Sequence, residues 1–446
     1  MRDLAILAVV FGTIPIIFLR PHIGILIWCW IAYMNPHRLG WGIAQHLPIA
    51  FVIALVTLMA WVISREPKKF PLHPITILLV ILSIWISITT VFAVAPDAAF
   101  AKWDRSIKIL FATFMTIVMI QSRERILALI WIIVASIGFY GVKGGIFTIL
   151  GGGQNRVWGP SESFIADNNT LALALIMALP LMRFLQMQSE LRWVRFGLGG
   201  VMALTAISII GSHSRGAFVA GVALLSVLFI RSRQRLGIAM VGLAAIVFAV
   251  VVAPDQWVER MESIQNYEQD ESAIGRFQAW EFAVDVAMMR PITGGGFVVN
   301  ADRDLFFQLV PQAPVTRSFH SVYFEVLGEH GFFGLAVFLS LLTAGLFTAQ
   351  RLRKVTSNNP DQRWAFDLAS MCQASLVGYM VGGAFLNLAF YDLFYHILVL
   401  PMLAQIALAG TTQTTGFLAS AAERRISGLE GDTTTQVISR GRRSTS

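Results

Sequence analysis

Residues 275–297 read GRFQAWEFAVDVAMMRPITGGGF, and residues 318–334 read SFHSVYFEVLGEHGFFG. Both lie in Ala253–Gly334, the only long internal segment that mixes acids, bases, glycine, proline and aromatics. The chain on either side is apolar enough to sit in a bilayer. A large polar loop between membrane spans is where a membrane enzyme can keep its chemistry. The expectation is that this loop carries a general base and an anion-gripping arginine above a helical bundle.

Of 446 residues, 56% are hydrophobic and only 13% charged, against about 25% charged in soluble globular chains. This excludes a soluble protein and predicts an all-α, polytopic integral membrane protein, because lipid offers open backbone groups no partner. A transmembrane barrel would show alternating segments of about ten residues, and none is present. The net charge of +8 then marks cytoplasmic loops rather than a nucleic-acid partner. Cys29 and Cys372 fall in apolar runs and read as small core hydrophobes. The opening run to Leu19 has no small-residue cleavage site after it and reads as a retained membrane segment.

Apolar runs of about 20 residues, the length needed to span, fall near 48–64, 75–94, 103–120, 126–149, 168–186, 194–212, 214–231, 236–253, 332–349, 366–390 and 393–409. Residues 4–34, interrupted at Arg20–Pro21, make one broken span or two short ones. Basic clusters at Arg65–Lys69, Arg123–Arg125, Arg192–Arg195, Arg231–Arg235, Arg351–Lys354 and Arg424–Arg443 sit on alternate loops. The positive-inside rule puts them in the cytoplasm, giving about twelve transmembrane helices with both termini inside. Three parts follow: a helical bundle over 1–410, an outer loop over 254–331 inserted in it, and a tail over 411–446. That tail is rich in Thr, Ser, Gly and Arg and is expected to be disordered.

Within the loop, Ser272–Met289 is expected to form an amphipathic helix, with Ile274, Phe277, Trp280, Val284, Ala287 and Met288 on its apolar face. Arg276, Glu281 and Asp285 fall elsewhere on the wheel. Arg215 lies in the very short turn HSRG (213–216) between two apolar spans on the outer side, where an arginine is costly. It either snorkels to headgroup phosphates or grips a phosphate with its guanidinium fork. Arg276 is a solvated side chain or a second such group. Lys102, Arg105, Arg156 and Arg317 add outer positive charge, as interfacial anchors or further anion contacts.

His320 opens the run that continues to Gly334. A helix N-terminus disfavours its protonated form, keeping a neutral imidazole available as a base; a nearby diphosphate pushes the other way. His330 is ten residues on, roughly 15 Å along a helix, too far to serve the same centre. Glu325 and Glu329, one turn apart, read as a capping or salt-bridging pair, with one of them able to orient a loop group. Asp302–Arg303–Asp304 has the D-x-D shape of metal-dependent transferases, but the surrounding cations favour arginines as the phosphate ligands, so neither a metal nor a cofactor is expected.

The two quoted stretches resemble the R-x-x-x-W … P-x-x-G-x-G and H-[NS]-x-x-x-E-x-x-x-E-x-G-x-x-G blocks of the O-antigen ligase/polymerase superfamily. The layout resembles that superfamily too, with a large outer loop late in a chain of about twelve spans. The resemblance implies a GT-C-like, metal-independent, inverting glycosyltransferase of the Gram-negative inner membrane with its active site facing the periplasm. The donor would be a glycan on undecaprenyl diphosphate. Lipid A–core would be the acceptor in the ligases, which it resembles most; polysaccharide polymerases and protein O-oligosaccharyltransferases are the alternatives within the superfamily. It also implies His320 as the base and Arg215 and Arg276 on the diphosphate, with Glu325, Arg317, Arg156, Lys102 and Arg105 as secondary candidates. A transporter of lipid-linked glycans, the reading from another class, would place its ionisable groups near the bilayer midplane. Here they concentrate in one outer loop.

Overall fold

The computed structural model describes residues 2–39, 42–45, 47–231 and 271–410, together with Leu236, Gly237, Met240 and Gly242. Apart from those four residues, the expected span at 236–253, the loop up to 270 and the tail from 411 lie outside the described residues. The described residues form fourteen α-helices and no strand. In chain order they are α1 (Arg2–Leu19), α2 (His22–Met34), α3 (Ile49–Ile63), α4 (Pro74–Val91), α5 (Pro96–Met119), α6 (Arg123–Leu150) and α7 (Asn168–Gln188). There follow α8 (Arg192–Gly211), α9 (Arg215–Arg231), α10 (Glu271–Met289), α11 (Arg303–Leu309), α12 (Val322–Thr356), α13 (Arg363–Gly383) and α14 (Asp392–Gly410).

Seven of them (α1, α4, α6, α7, α8, α12 and α14) are long and apolar enough to cross a bilayer, and α3 and α9 are shorter apolar helices. The chain is thus an all-helical, polytopic membrane protein. Among the described residues, α2, α5 and α13 fall in the remaining expected spans. Local chemistry sets several boundaries. Asp167 caps α7 by accepting from the Asn169 and Thr170 amides at 2.7 and 3.2 Å, and His73 caps α4 ahead of Pro74. Where α6 crosses α8, a Cβ on Gly145 would lie 2.2 Å from the Leu204 carbonyl oxygen. Only glycine admits that approach, the usual device of packed membrane helices.

Residues 4–34 are two helices broken at Arg20–Pro21, one of the two arrangements expected. The structure differs from the expected spans at two places. α5 begins seven residues before the apolar run at 103–120 and carries Lys102, Asp104, Arg105 and Lys108; it is too charged to count among the seven. α13 stops at Gly383, not 390, because residues 384–391 form a turn that is itself mostly buried. Its apolar composition hid it. Non-helical backbone at such a depth needs partners: Tyr379 and Tyr395 hydroxyls donate to the Leu388 and Ala389 carbonyls at 2.9 and 3.0 Å, and Glu325 accepts from the Ala389 amide at 3.1 Å.

Among the described residues, the basic clusters at 65–69 and 123–125 meet at one end of the bundle. Arg125 forks onto Glu66 at 2.6 and 3.1 Å, and Arg123 stacks over Trp364. The start of α12 lies at the other end.

Candidate active site

The site is built where α10 and the loop after it dock on α12. Pro291–Gly296 makes a turn whose backbone pairs with α12: Gly295 and Gly296 amides donate to the Gly328 and Glu329 carbonyls at 2.9 and 2.8 Å, and the Phe332 amide donates to Pro291 at 2.8 Å. The pairing needs a break in the helix, and Gly331 supplies it with φ +70° and ψ −172°. A Cβ there would lie 2.4 Å from the Ile292 carbonyl oxygen, and one on Gly294 would lie 2.6 Å from the Gly331 amide nitrogen. The break frees the His330 carbonyl, which Trp85 caps at 3.0 Å. The glycines of the two sequence stretches are therefore two halves of one backbone joint.

α10 does not pack by the face its sequence predicts. Gly275, Gln278, Ala279, Phe282, Ala283, Val286 and Ala287 are buried, whereas Ile274, Phe277, Val284 and Met288 are exposed. The helix is apolar on both sides, and the side with alanines wins because it fits closely against Gly328 of α12. Trp280 is partly buried and serves the site. Its indole stacks on Phe324 at 4.8 Å and donates to the Phe319 carbonyl at 2.8 Å. Phe319, held beside Phe282 in a small apolar cluster with Phe306 and Val310, anchors the loop that carries His320.

His320 is exposed, adopts φ +47°, and lies one residue before the Ser321 cap of α12. A left-handed backbone at a non-glycine residue costs about 1–3 kcal/mol and concentrates at functional sites. Ser318 Oγ is 3.0 Å from its Nε2. Partial desolvation and the nearby Arg276 lower its pKa below the ordinary 6.5; Arg317 acts the same way, and Asp167 and Glu325 oppose them. Those four groups, from α10, the 310–321 loop, the cap of α7 and α12, thus act on one imidazole. A Cβ on Gly275 would lie 3.1 Å from Arg317 Nε, so the glycine makes room for that guanidinium.

Arg215 is the first residue of α9, directly after the turn in which His213 takes φ +55°. It lies at the same end of the bundle as His320 by short links. Asn168, next to Asp167, donates to the Ser212 carbonyl at 2.7 Å, and Phe385 packs on Gly216 while Gly383 packs on Val322. Arg156 joins the same region, because its neighbour Val157 donates to the Gly211 carbonyl at 3.0 Å. Arg105 is exposed on α5, its Nε 3.3 Å from the Ala101 carbonyl.

Lys102 departs from the expectation of an interfacial cation. Its Nζ bonds Glu325 Oε1 at 2.7 Å and both oxygens of Glu329 at 2.7 and 2.9 Å. His330 is fully buried against Phe297 and Phe390, with Nδ1 2.8 Å from Thr89 Oγ1, and takes no part at the surface. Asp302 of the D-x-D triplet caps α11 by accepting from the Leu305 amide at 2.9 Å. Sequence reasoning missed Asp167 and Ser318. Asp167 carried a signal, as an acid heading Asn-Asn-Thr before an apolar run; Ser318 carried none.

A family model described as O-antigen ligase matches residues 200–339, which hold Arg215, Arg276, Arg317, His320, Glu325 and Glu329. A second, described as a family of unknown function (DUF5935), matches residues 1–190. No curated protein matches the chain.

Proposed function

We propose, from the premise that the chain belongs to the O-antigen ligase superfamily through residues 200–339, that it is a metal-independent, inverting glycosyltransferase. It moves a glycan from undecaprenyl diphosphate to lipid A–core. The observation that carries the reading is His320: exposed, held in a left-handed backbone, and under the influence of two guanidinium groups.

A sugar hydroxyl is a poor nucleophile at neutral pH, so a base within hydrogen-bond reach assists it. When Nε2 carries the ring proton and donates to Ser318, Nδ1 is the basic nitrogen. The acceptor hydroxyl gives its proton to that nitrogen as its oxygen bonds to the anomeric carbon. The bond from that carbon to the diphosphate breaks on the opposite face, and the electron pair leaves with the diphosphate. Arg276 and Arg215 offset the departing charge, with Arg317 beside them, and no proton need reach the leaving group. One base and cationic clamps suffice for single displacement with inversion. Glu325 and Glu329 are committed to Lys102, so they support no retaining carboxylate pair.

In this reading the basic end of the bundle faces the cytoplasm and the His320 end faces the periplasm of a Gram-negative inner membrane. Residues 254–331 are the periplasmic insertion that carries the site, and 411–446 are a cytoplasmic tail. Gel analysis of lipopolysaccharide from a deletion strain complemented with His320→Ala tests it. The expected result is core without polymer, with polymer held on the lipid carrier and the protein still in the membrane. Single-repeat capping of core would instead mean a polymerase, and unchanged lipopolysaccharide with unglycosylated protein a protein transferase.

A further inference from the structure

Lys102 stands on α5, yet the hydrogen bonds of its ammonium go to α12. An ammonium has three hydrogens, and three short contacts use them: one to Glu325 and two to Glu329. The two carboxylates are 3% and 1% exposed and one turn apart on α12, where like charges repel. Each also accepts from a loop backbone. Glu325 Oε2 takes the Ala389 amide of the α13–α14 turn at 3.1 Å, and Glu329 Oε1 takes the Val298 amide, after the Gly294–Gly296 turn, at 2.9 Å. Val298 itself is left-handed, with φ +55°. The ammonium and the two carboxylates therefore join three segments, α5, the α13–α14 turn and the loop at Val298, to the first two turns of α12, and the Glu325 amide bonds back to the Ser321 carbonyl at 2.8 Å, one residue from His320.

We propose that Lys102 is a positioning residue for His320, holding Glu325 and the start of α12 where they fix the imidazole. The kinetic part of this rests on His320 being the base. The charged groups facing His320 are Asp167 from α7, Arg276 from α10, Arg317 from its own loop and Glu325 from α12; Lys102, from α5, reaches it through Glu325.

The test uses the full-length protein in detergent, with ring-labelled histidine and His320→Ala to assign the resonance. The His320 titration midpoint is read by NMR in Lys102→Met and Glu325→Gln, beside kcat and donor KM normalised to folded protein. Glu325→Gln removes a neighbouring negative charge, so the midpoint should fall; Lys102→Met takes the cation from two buried carboxylates and changes the charge that Glu325 presents, so the midpoint should move from the wild-type value. In Lys102→Met, kcat should drop at least tenfold with donor KM within threefold. If Lys102→Met does not fold, the isosteric Glu325→Gln decides alone. Midpoints that stay at the wild-type value overturn the proposal, whether or not kcat falls, because a fall alone is lost packing. A change confined to donor KM also overturns it and makes Lys102 a substrate contact. Midpoints that move while kcat stays constant support the coupling and overturn His320 as the base.

Discussion

His320 can be read from both its neighbours and its backbone. With a pKa below 6.5, the imidazole is neutral and basic at pH 7. The acid limb of kcat/KM, which reports the free enzyme, should therefore be centred below pH 6.5. In kcat the limb should lie higher, because a bound diphosphate favours the imidazolium. A kcat/KM limb centred above 6.5 would contradict the assignment. The same depression makes the unfolded chain take up that proton first, so folding stability should decline as pH falls below 6.5. Arg276→Ala should lower kcat about 10²–10³-fold, as loss of one donor to a developing anion does elsewhere, measured with a defined lipid-linked donor. Ser318→Ala should cost only about 2- to 10-fold, the worth of one neutral hydrogen bond. The sequence singled out Arg215 as a charge out of place in a short outer turn, and His320 and Arg276 through the motifs they open. Asp167 carried only the signal of a helix cap, and Ser318 carried none, because serines before helices are common for capping alone.

α10 and α12 teach a different lesson. Their glycines were visible as a pattern, but their reason is visible only in three dimensions, where Gly294 meets Gly331 backbone to backbone. Gly331→Ala should destabilise the protein by about 3 kcal/mol or more, since a left-handed alanine and a displaced carbonyl both oppose it. A lowered melting temperature in detergent checks this; an unchanged one would mean the joint yields freely. The outward face of α10 shows where periodicity ran out. Apolar residues at helical spacing name a stripe, and in a helix apolar on both sides the closer fit chooses which one packs. The turn at 384–391 was illegible for a related reason, since buried loop and buried helix share a composition when tyrosine hydroxyls can satisfy the loop's carbonyls.

At the scale of the whole chain, the proposed sidedness can be checked directly. Both native cysteines are buried. A cysteine at exposed Val315 should react with an impermeant maleimide in intact cells, and one at exposed Ser357 only after lysis. The reverse pattern would place His320 in the cytoplasm. Lys102→Met should cost about 3–5 kcal/mol, because it strands two buried carboxylates. The bridge that this lysine makes crosses between the two family-matched regions, 1–190 and 200–339. Neither region is therefore an interchangeable cassette. A hybrid that grafts a foreign first half onto this second half should assemble only if the incoming segment brings its own cation to the same depth, a compatibility rule that breeders of chimeric enzymes can apply before cloning.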